Sequence, residues 1–308
     1  MKNSVLKTLP NSPEEHQKAQ IKNYPSIFND VIGPVIRGPS SSHCAAAVRI
    51  GRIVRDLMDV NLQDILIEFD PNGSLATTHA SQGSDMGLFG GFMGWDAADD
   101  RLTKSHIAIK EAGIQVNIEI KPYGAKHPNT YKFTLQNSKE KHEMIAISTG
   151  GGMIEVINID GFNIFMNGGY FETLIYIEEK ANQLLEYLEQ NFSADEIFLH
   201  SNSKIQCVQI QSHSFLNDGL ITKIKDKFKI SQLKKINPVM PVLTNKESRI
   251  PFITCDEMYT YNKEKNLQLW ELALHYEGAR GNISHHEVIA KMTDIINIMQ
   301  KSINDGVK

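Results

Sequence analysis

Soon after residue 40 the apolar positions begin to recur at helical spacing. Ala46, Ile50, Ile53, Val54 and Leu57 share one stripe, and Arg49, Arg52 and Arg55 fall mostly off it. That pattern predicts a helix over residues 42–58. Residues 64–70 are apolar and β-branched, read as a strand, and end in the turn sequence Asp70-Pro71-Asn72-Gly73-Ser74. A helix is expected over 102–113, with strands over 115–120, 131–135, 143–148 and 153–159. The acidic run Asp96 to Asp100 reads as a solvated turn or helix start.

Beyond residue 163 the pattern changes. A strand over 171–177 precedes a helix with Ala181, Leu184, Leu185 and Leu188 on one face. Strands over 196–200 and 204–211, a helix over 217–228 and a strand over 230–236 follow. This β-α-β-β-α-β order is that of a ferredoxin-like or ACT-like module. No glycine-centred loop of the ACT kind joins its first strand and helix, so amino-acid sensing is not expected. Cys207 alternates onto the face opposite Val208 and Ile210 and reads as structural. A proline-marked linker, Asn237 to Val242 and Pro251, leads to a helical region. There Thr254 with Glu257 and Ser284 with Glu287 fit capping boxes. Leu269, Trp270 and Leu272 add apolar surface, and Val288, Ile289, Met292, Ile295, Ile296 and Met299 form a long stripe. The fold class expected is α+β. The expected divisions are a flexible arm over 1–25, an α/β domain over 26–162, the module over 163–242 and a helical segment over 243–308.

Composition narrows the function classes. The chain has 308 residues, is 41% hydrophobic and 22% charged, and carries a net charge of −4. That balance gives no general attraction to nucleic acid or anionic lipid. No apolar run reaches the roughly 20 residues of a membrane span. The first residues lack the apolar core of a secretion signal, and a reducing cytoplasm is the expected location. Cys44, Cys207 and Cys255 are far apart and lack the short spacings typical of cluster ligands. No Cys-x-x-Cys or His-Glu-x-x-His occurs, and His285-His286 reads as an exposed helix start. No metal site is therefore expected in this chain.

The stretch around which the chain is organised is Gly38-Pro39-Ser40-Ser41-Ser42-His43-Cys44. Gly-Pro forces a turn, any of the three serines can cap a helix, and the alanines that follow favour helix. Hydroxyls, free N–H groups and the positive end of a helix dipole then converge on one point, which suits a carboxylate or phosphate. His43 adds a group that titrates near neutral pH. One Ser-His pair alone would read as an ordinary capped helix; the whole run favours function. Asn29 or Asp30, just upstream, could point back at the turn.

Three more stretches carry candidate chemistry. Five glycines from Gly73 to Gly91 surround His79, Ser84 and Asp85, which argues for close backbone approaches. His127-Pro128-Asn129-Thr130 holds a histidine pushed to extended backbone by the proline. Thr149-Gly150-Gly151-Gly152 lies between two strands, where it either exposes backbone to a ligand or makes a tight hairpin. It is no phosphate-loop or dinucleotide fingerprint.

Ile32-Gly33-Pro34-Val35-Ile36-Arg37-Gly38-Pro39-Ser40-Ser41-Ser42-His43 resembles the signature of the iron–sulfur-dependent L-serine dehydratases, in their β part. The His-Pro-Asn-Thr and Gly-Gly-Gly-x-Ile-Glu segments match in the same order, and the C-terminal helices resemble the opening of the family's α part. The chain departs from the pattern at Cys44-Ala45-Ala46, where the family reads Thr-Ala-Gly, and in the second motif, where Gln82 stands for a histidine and Ser84 for a threonine. Gln82 cannot carry a proton, so any acid–base role there is lost or shared with His79. The resemblance implies conversion of L-serine to pyruvate and ammonia, with a [4Fe–4S] cluster held by an α portion outside this chain. It implies catalytic roles for His43, Ser42 and Asp85, and substrate binding by Ser40, Ser41, His127 and Asn129. The implied partner is an α-type subunit or a further copy of the chain.

Three readings stay open at this level. The chain is the β-type part of a serine dehydratase, or a small-carboxylate binding module without catalysis, or a truncated enzyme without activity.

Overall fold

The structure, a computed structural model, describes residues 24–202, 205–245 and 248–307. The expected arm, apart from Tyr24 and Pro25, lies outside the described residues, and so does Lys204 at the expected start of a strand.

The fold is α+β, as expected. Its first sheet joins β1 (Asp64–Phe69), β2 (Gln115–Ile120), β3 (Thr130–Gln136), β4 (Lys141–Gly150), β5 (Met153–Ile159) and β6 (Phe162–Met166) in the order β2-β1-β3-β4-β5-β6. β1 and β2 run parallel, with Ile67 opposite Ile118, and the other pairs are antiparallel. A parallel pair needs a long crossover. The glycine-rich stretch supplies it.

The motif helix, α1 (Ala46–Leu57), starts later than its apolar stripe predicts, because a π-helical turn, Ser41–Ala45, precedes it. The crossover then holds α2 (Leu75–Thr78), α3 (Ser84–Phe92), a 3-10 turn (Asp100–Lys104) and α4 (Ser105–Glu111). α1 lies on the sheet. Ile50, Ile53, Val54 and Leu57 pack with Ile65, Ile67, Phe133, Leu135 and Met144 in one fully buried cluster. Each such side chain contributes about 1.5–3 kcal/mol of burial free energy. α3 crosses α1 at backbone distance: a Cβ on Gly51 would lie 2.7 Å from the Leu88 carbonyl oxygen. Only glycine permits that approach, and it brings the starts of both helices together.

The second sheet has β7 (Phe171–Ile177), β8 (Glu196–Ser201), β9 (Gln206–Ser212) and β10 (Ile230–Ile236) in the order β10-β7-β9-β8, all antiparallel. With α5 (Ala181–Asn191) and α6 (Asp218–Lys227) this is the ferredoxin-like arrangement read from the element order. Ile175, Ile177, Val208 and Ile210 meet Leu184, Leu188 and Ile224 on one face. Leu174, Tyr176 and Cys207 join the first sheet's core on the other. Buried polar groups stitch this junction. Lys234 Nζ donates to Glu140 at 2.6 Å and Asp59 at 2.8 Å. Gln209 and Gln211 each donate to the Glu172 carboxyl at 3.0 Å.

At the C-terminal end, α7 (Cys255–Asn262), α8 (Leu269–Gly281) and α9 (His285–Gly306) each begin in a capping box, two of them at the expected Thr254 and Ser284. They pack on the segment before the motif. Val288, Leu274, Met292 and Ile295 cluster with Phe28 and Val242. Buried Glu277 accepts from Ser26 Oγ at 2.5 Å and from the Ile27 N–H at 2.8 Å. Asn29 does not point back at the motif: its amide exchanges hydrogen bonds with the backbone of Val242 at 2.7 and 3.1 Å. Asp30 accepts from the Ser26 N–H instead. The proline-marked linker is thus a packed strap, with Val239, Met240 and Val242 buried. Half of the apolar stripe on α9 stays outside, with Ile289 48%, Ile296 56% and Met299 59% exposed.

Candidate functional site

None of the three motif serines caps the helix by its side chain in the way the sequence suggests. Ser40 occupies the N-cap position, but its hydroxyl makes no cap bond. Its Oγ instead lies 3.1 Å from His43 Nδ1 and 3.2 Å from Ser42 Oγ, and Ser42 Oγ lies 3.3 Å from the same nitrogen. The serines therefore serve the histidine rather than the helix end. The hydroxyl of Ser41, half-buried beside them, shows no side-chain bond in this network.

The other face of His43 fixes its protonation pattern. Thr78 Oγ1 donates its single proton to the Ser74 carbonyl at 2.6 Å. Towards His43 Nε2, 3.3 Å away, it can only accept. Nε2 of the neutral ring therefore carries the proton, and Nδ1 presents its lone pair to the serines. Burial lowers the pKa of His43, so the ring stays neutral at pH 7.

Asn129 ties the cluster to the sheet by two routes. Its side-chain oxygen accepts from Ser74 Oγ. Its carbonyl accepts from the Ser148 N–H at 3.0 Å, and Ser148 Oγ donates to the Ser42 carbonyl at 2.6 Å. Ser148 faces inward because β4 alternates, with His142, Met144 and Ala146 on the same side. His127 holds the turn: its Nδ1 accepts from the Asn129 N–H at 3.2 Å, and no hydrogen bond joins it to His43. Asp70, at the end of β1, secures the preceding loop. The N–H of Asn72, with those of Ala125, Tyr123 and Gly124, holds its carboxyl down at about 2.

Asp85 lies at the start of α3 and pairs with His79, whose Nδ1 is 2.8 and 2.9 Å from its two oxygens. Next to it, Ser84 Oγ meets the buried Tyr131 hydroxyl at 3.1 Å. Gln82 is exposed. The glycine triplet makes the β4–β5 turn, with φ of +106°, +61° and +85°. Its third carbonyl accepts from Arg49 at 2.5 Å. Arg49 is buried, contrary to its place off the apolar stripe, and burial lowers its guanidinium pKa to about 10.

The structure thus brings together Ser40, Ser42, His43 and Asn129, places Asp85 in an adjacent pair, and leaves His127 in a supporting turn. Thr78, Ser74 and Ser148 complete the network without having been singled out by the sequence. The one local signal for them was the spacing of Ser74 and Thr78, four apart, which fits a hydroxyl-to-carbonyl bond within a helical turn.

An iron–sulfur cluster does not fit the cysteines of this chain. Cys44 is buried and donates to the Arg37 carbonyl at 3.1 Å, and burial pushes its thiol up to about 11. Cys207 lies inside the core shared by the sheets, and Cys255 is exposed at the start of α7. Among the described residues, no group of three His, Cys, Asp or Glu side chains is placed to hold a metal ion.

No family model matches the chain. It is 33% identical over 221 residues to the probable L-serine dehydratase beta chain of Bacillus subtilis (strain 168), covering 69% of this chain and 98% of the relative. It is 32% identical over 175 residues to the L-serine dehydratase beta chain of Peptoniphilus asaccharolyticus, covering 56% of this chain and 77% of that one. With the serine-rich turn, its histidine and this match over nearly the full length of a relative, the chain belongs to the L-serine dehydratase beta-chain family.

Proposed function

We propose that the chain is the β-type component of an enzyme converting L-serine to pyruvate and ammonia, completed by an alpha chain. The observation that carries this reading is His43: a neutral imidazole whose Nδ1 lone pair faces two hydroxyls at a helix start. The substrate carboxylate sits on the N–H groups and hydroxyls of Ser40, Ser41 and Ser42, and Asn129 braces that turn. His43 Nδ1 accepts the Cα proton. Departure of the β-hydroxyl as water leaves an aminoacrylate, whose imine tautomer takes up water to give pyruvate and ammonia.

Both relatives are named beta chains, which supports an alpha partner. The apolar outer face of α9 and the exposed Trp270 are surface of the kind a partner covers. The separated cysteines support placing the cluster implied by the resemblance in that alpha chain. No helix among the described residues is long and apolar enough to cross a membrane. A cytoplasmic location is part of the proposal.

Anaerobic purification tests this division of labour. The chain alone is expected to be colourless, free of iron and inactive on L-serine. Mixed with an L-serine dehydratase alpha chain it should form a brown complex that releases pyruvate. A stoichiometric cluster and pyruvate from the lone chain would overturn the assignment. The exposed Gln82, which cannot transfer a proton, favours a second reading as a binding module; serine binding without turnover in the complex would establish it.

A further inference from the structure

His79 follows Thr78 directly in the chain, so one short helix delivers groups to two imidazoles. Thr78 accepts from Nε2–H of His43, and the Asp85 carboxylate accepts from Nδ1–H of His79. His43 therefore offers its Nδ1 lone pair, and His79, with Nδ1–H committed to Asp85, exchanges a proton with its surroundings through Nε2.

The second ring is firmly placed. It stacks on Phe69 at 5.1 Å between centroids with 30° between planes. The loop that returns from His79 to Asp85 is closed by the Ser84 N–H on the His79 carbonyl at 2.8 Å. That loop lies on the serine-rich turn: a Cβ on Gly83, at φ +84°, would sit 3.2 Å from Pro39 Cδ. The pair is not sealed away, since the His79 and Asp85 side chains are 22% and 21% exposed.

Loss of water from L-serine needs two proton transfers. One group takes the Cα proton, and another gives a proton to the departing β-hydroxyl so that it leaves as water. His43 Nδ1 supplies the first. We infer that His79 supplies the second as an imidazolium, giving up Nε2–H and keeping Nδ1–H on the Asp85 carboxylate, which orients the ring and compensates the charge of the imidazolium before transfer. The inference rests on the dehydratase reading given above. The proton gained by His43 and the proton lost by His79 balance over one turnover, and exchange with solvent restores both. His79 is then the catalytic acid and Asp85 its positioning residue. It also explains how the site dispenses with a histidine at Gln82.

The test compares two substrates in the reconstituted alpha–beta complex. Chloride leaves β-chloro-L-alanine without needing a proton, whereas hydroxide leaves L-serine only with one. His79→Gln should lower kcat on L-serine by roughly 10²–10⁴-fold, the usual range for a general acid, while β-chloro-L-alanine elimination stays within a few fold. His43→Asn should lose both. Asp85→Asn should show the same split as His79→Gln, with KM near wild type. His79→Gln combined with Gln82→His should recover part of the serine activity, and thermal melts of each variant report folding. Equal loss on both substrates, or full serine turnover by His79→Gln, overturns the assignment of His79 alone. A wild-type complex inactive on both substrates overturns the dehydratase reading and this inference with it.

Discussion

Thr78 meets His43 only as a hydrogen-bond acceptor. Its proton is committed to the Ser74 carbonyl at 2.6 Å, and His43 Nε2 lies 3.3 Å from the same oxygen. A threonine that reads as helix filler in the sequence therefore decides which nitrogen of His43 faces the serines. Thr78→Val should lower kcat by roughly 10–100-fold, by analogy with the loss seen when the hydrogen-bond partner of a metal-ligating histidine is removed. Thr78→Ser, which keeps the hydroxyl, should recover most of it. Steady-state kinetics with thermal melts check this, and an unchanged kcat for the valine variant would show that the tautomer is set elsewhere.

Burial lowers the pKa of His43 below its ordinary 6.5. A lowered pKa means that the ring stays unprotonated to more acidic pH, so the proposed base remains competent there. The acid limb of kcat/KM on L-serine should accordingly fall below pH 6.5. A limb lying above that value would contradict the assignment of the base.

Glu172 carries a different pH dependence. Burial pushes its carboxyl up to about 8, against the bonds donated by Gln209 and Gln211. The folded chain therefore holds this proton where the unfolded chain has lost it. Stability from this group is fully present below the unfolded value and is lost as pH rises through about 8, at no more than about 1.4 kcal/mol per pH unit. Glu172→Gln should be close to wild type at pH 5 and more stable than wild type at pH 9. Urea titrations at the two pH values read this directly, and parallel curves at both would exclude a buried neutral carboxyl.

Glu277 fastens the C-terminal helices to the segment before the motif. Glu277→Ala leaves the buried Ser26 hydroxyl and Ile27 N–H without their acceptor. Each unsatisfied group costs about 1–3 kcal/mol. Amide exchange over residues 26–31 should accelerate markedly, with α1 still protected. Unchanged exchange there would show that Phe28 and Val242 hold the segment without the carboxylate.

Amino-acid order alone settled much of this protein. Alternation and helical spacing located the strands and most helices, since those periods follow from the backbone whatever the surroundings. The β-α-β-β-α-β order gave the ferredoxin-like module, because few connections suit that order. The serine-rich turn, its histidine and the His-Pro-Asn-Thr segment were legible because each is a contiguous run. Strand β6, with only five residues, was missed, and Arg49 was placed outside the core. Its guanidinium is buried only because a carbonyl from the Gly150–Gly152 turn, 103 residues away in the chain, comes to meet it.

Tertiary structure decided the site. Local sequence says that a serine before a helix caps it; here the hydroxyls turn to His43, because Thr78 has already taken the ring's other side. Whether Asn29 served the motif or the C-terminal strap depended on Val242 arriving beside it. Sequence spacing could place Asp85 near His79 but not tell which nitrogen it would hold. Such choices belong to side chains that compete for a few protons, and the competitors meet only when the sheet, the crossover and the strap have closed around them.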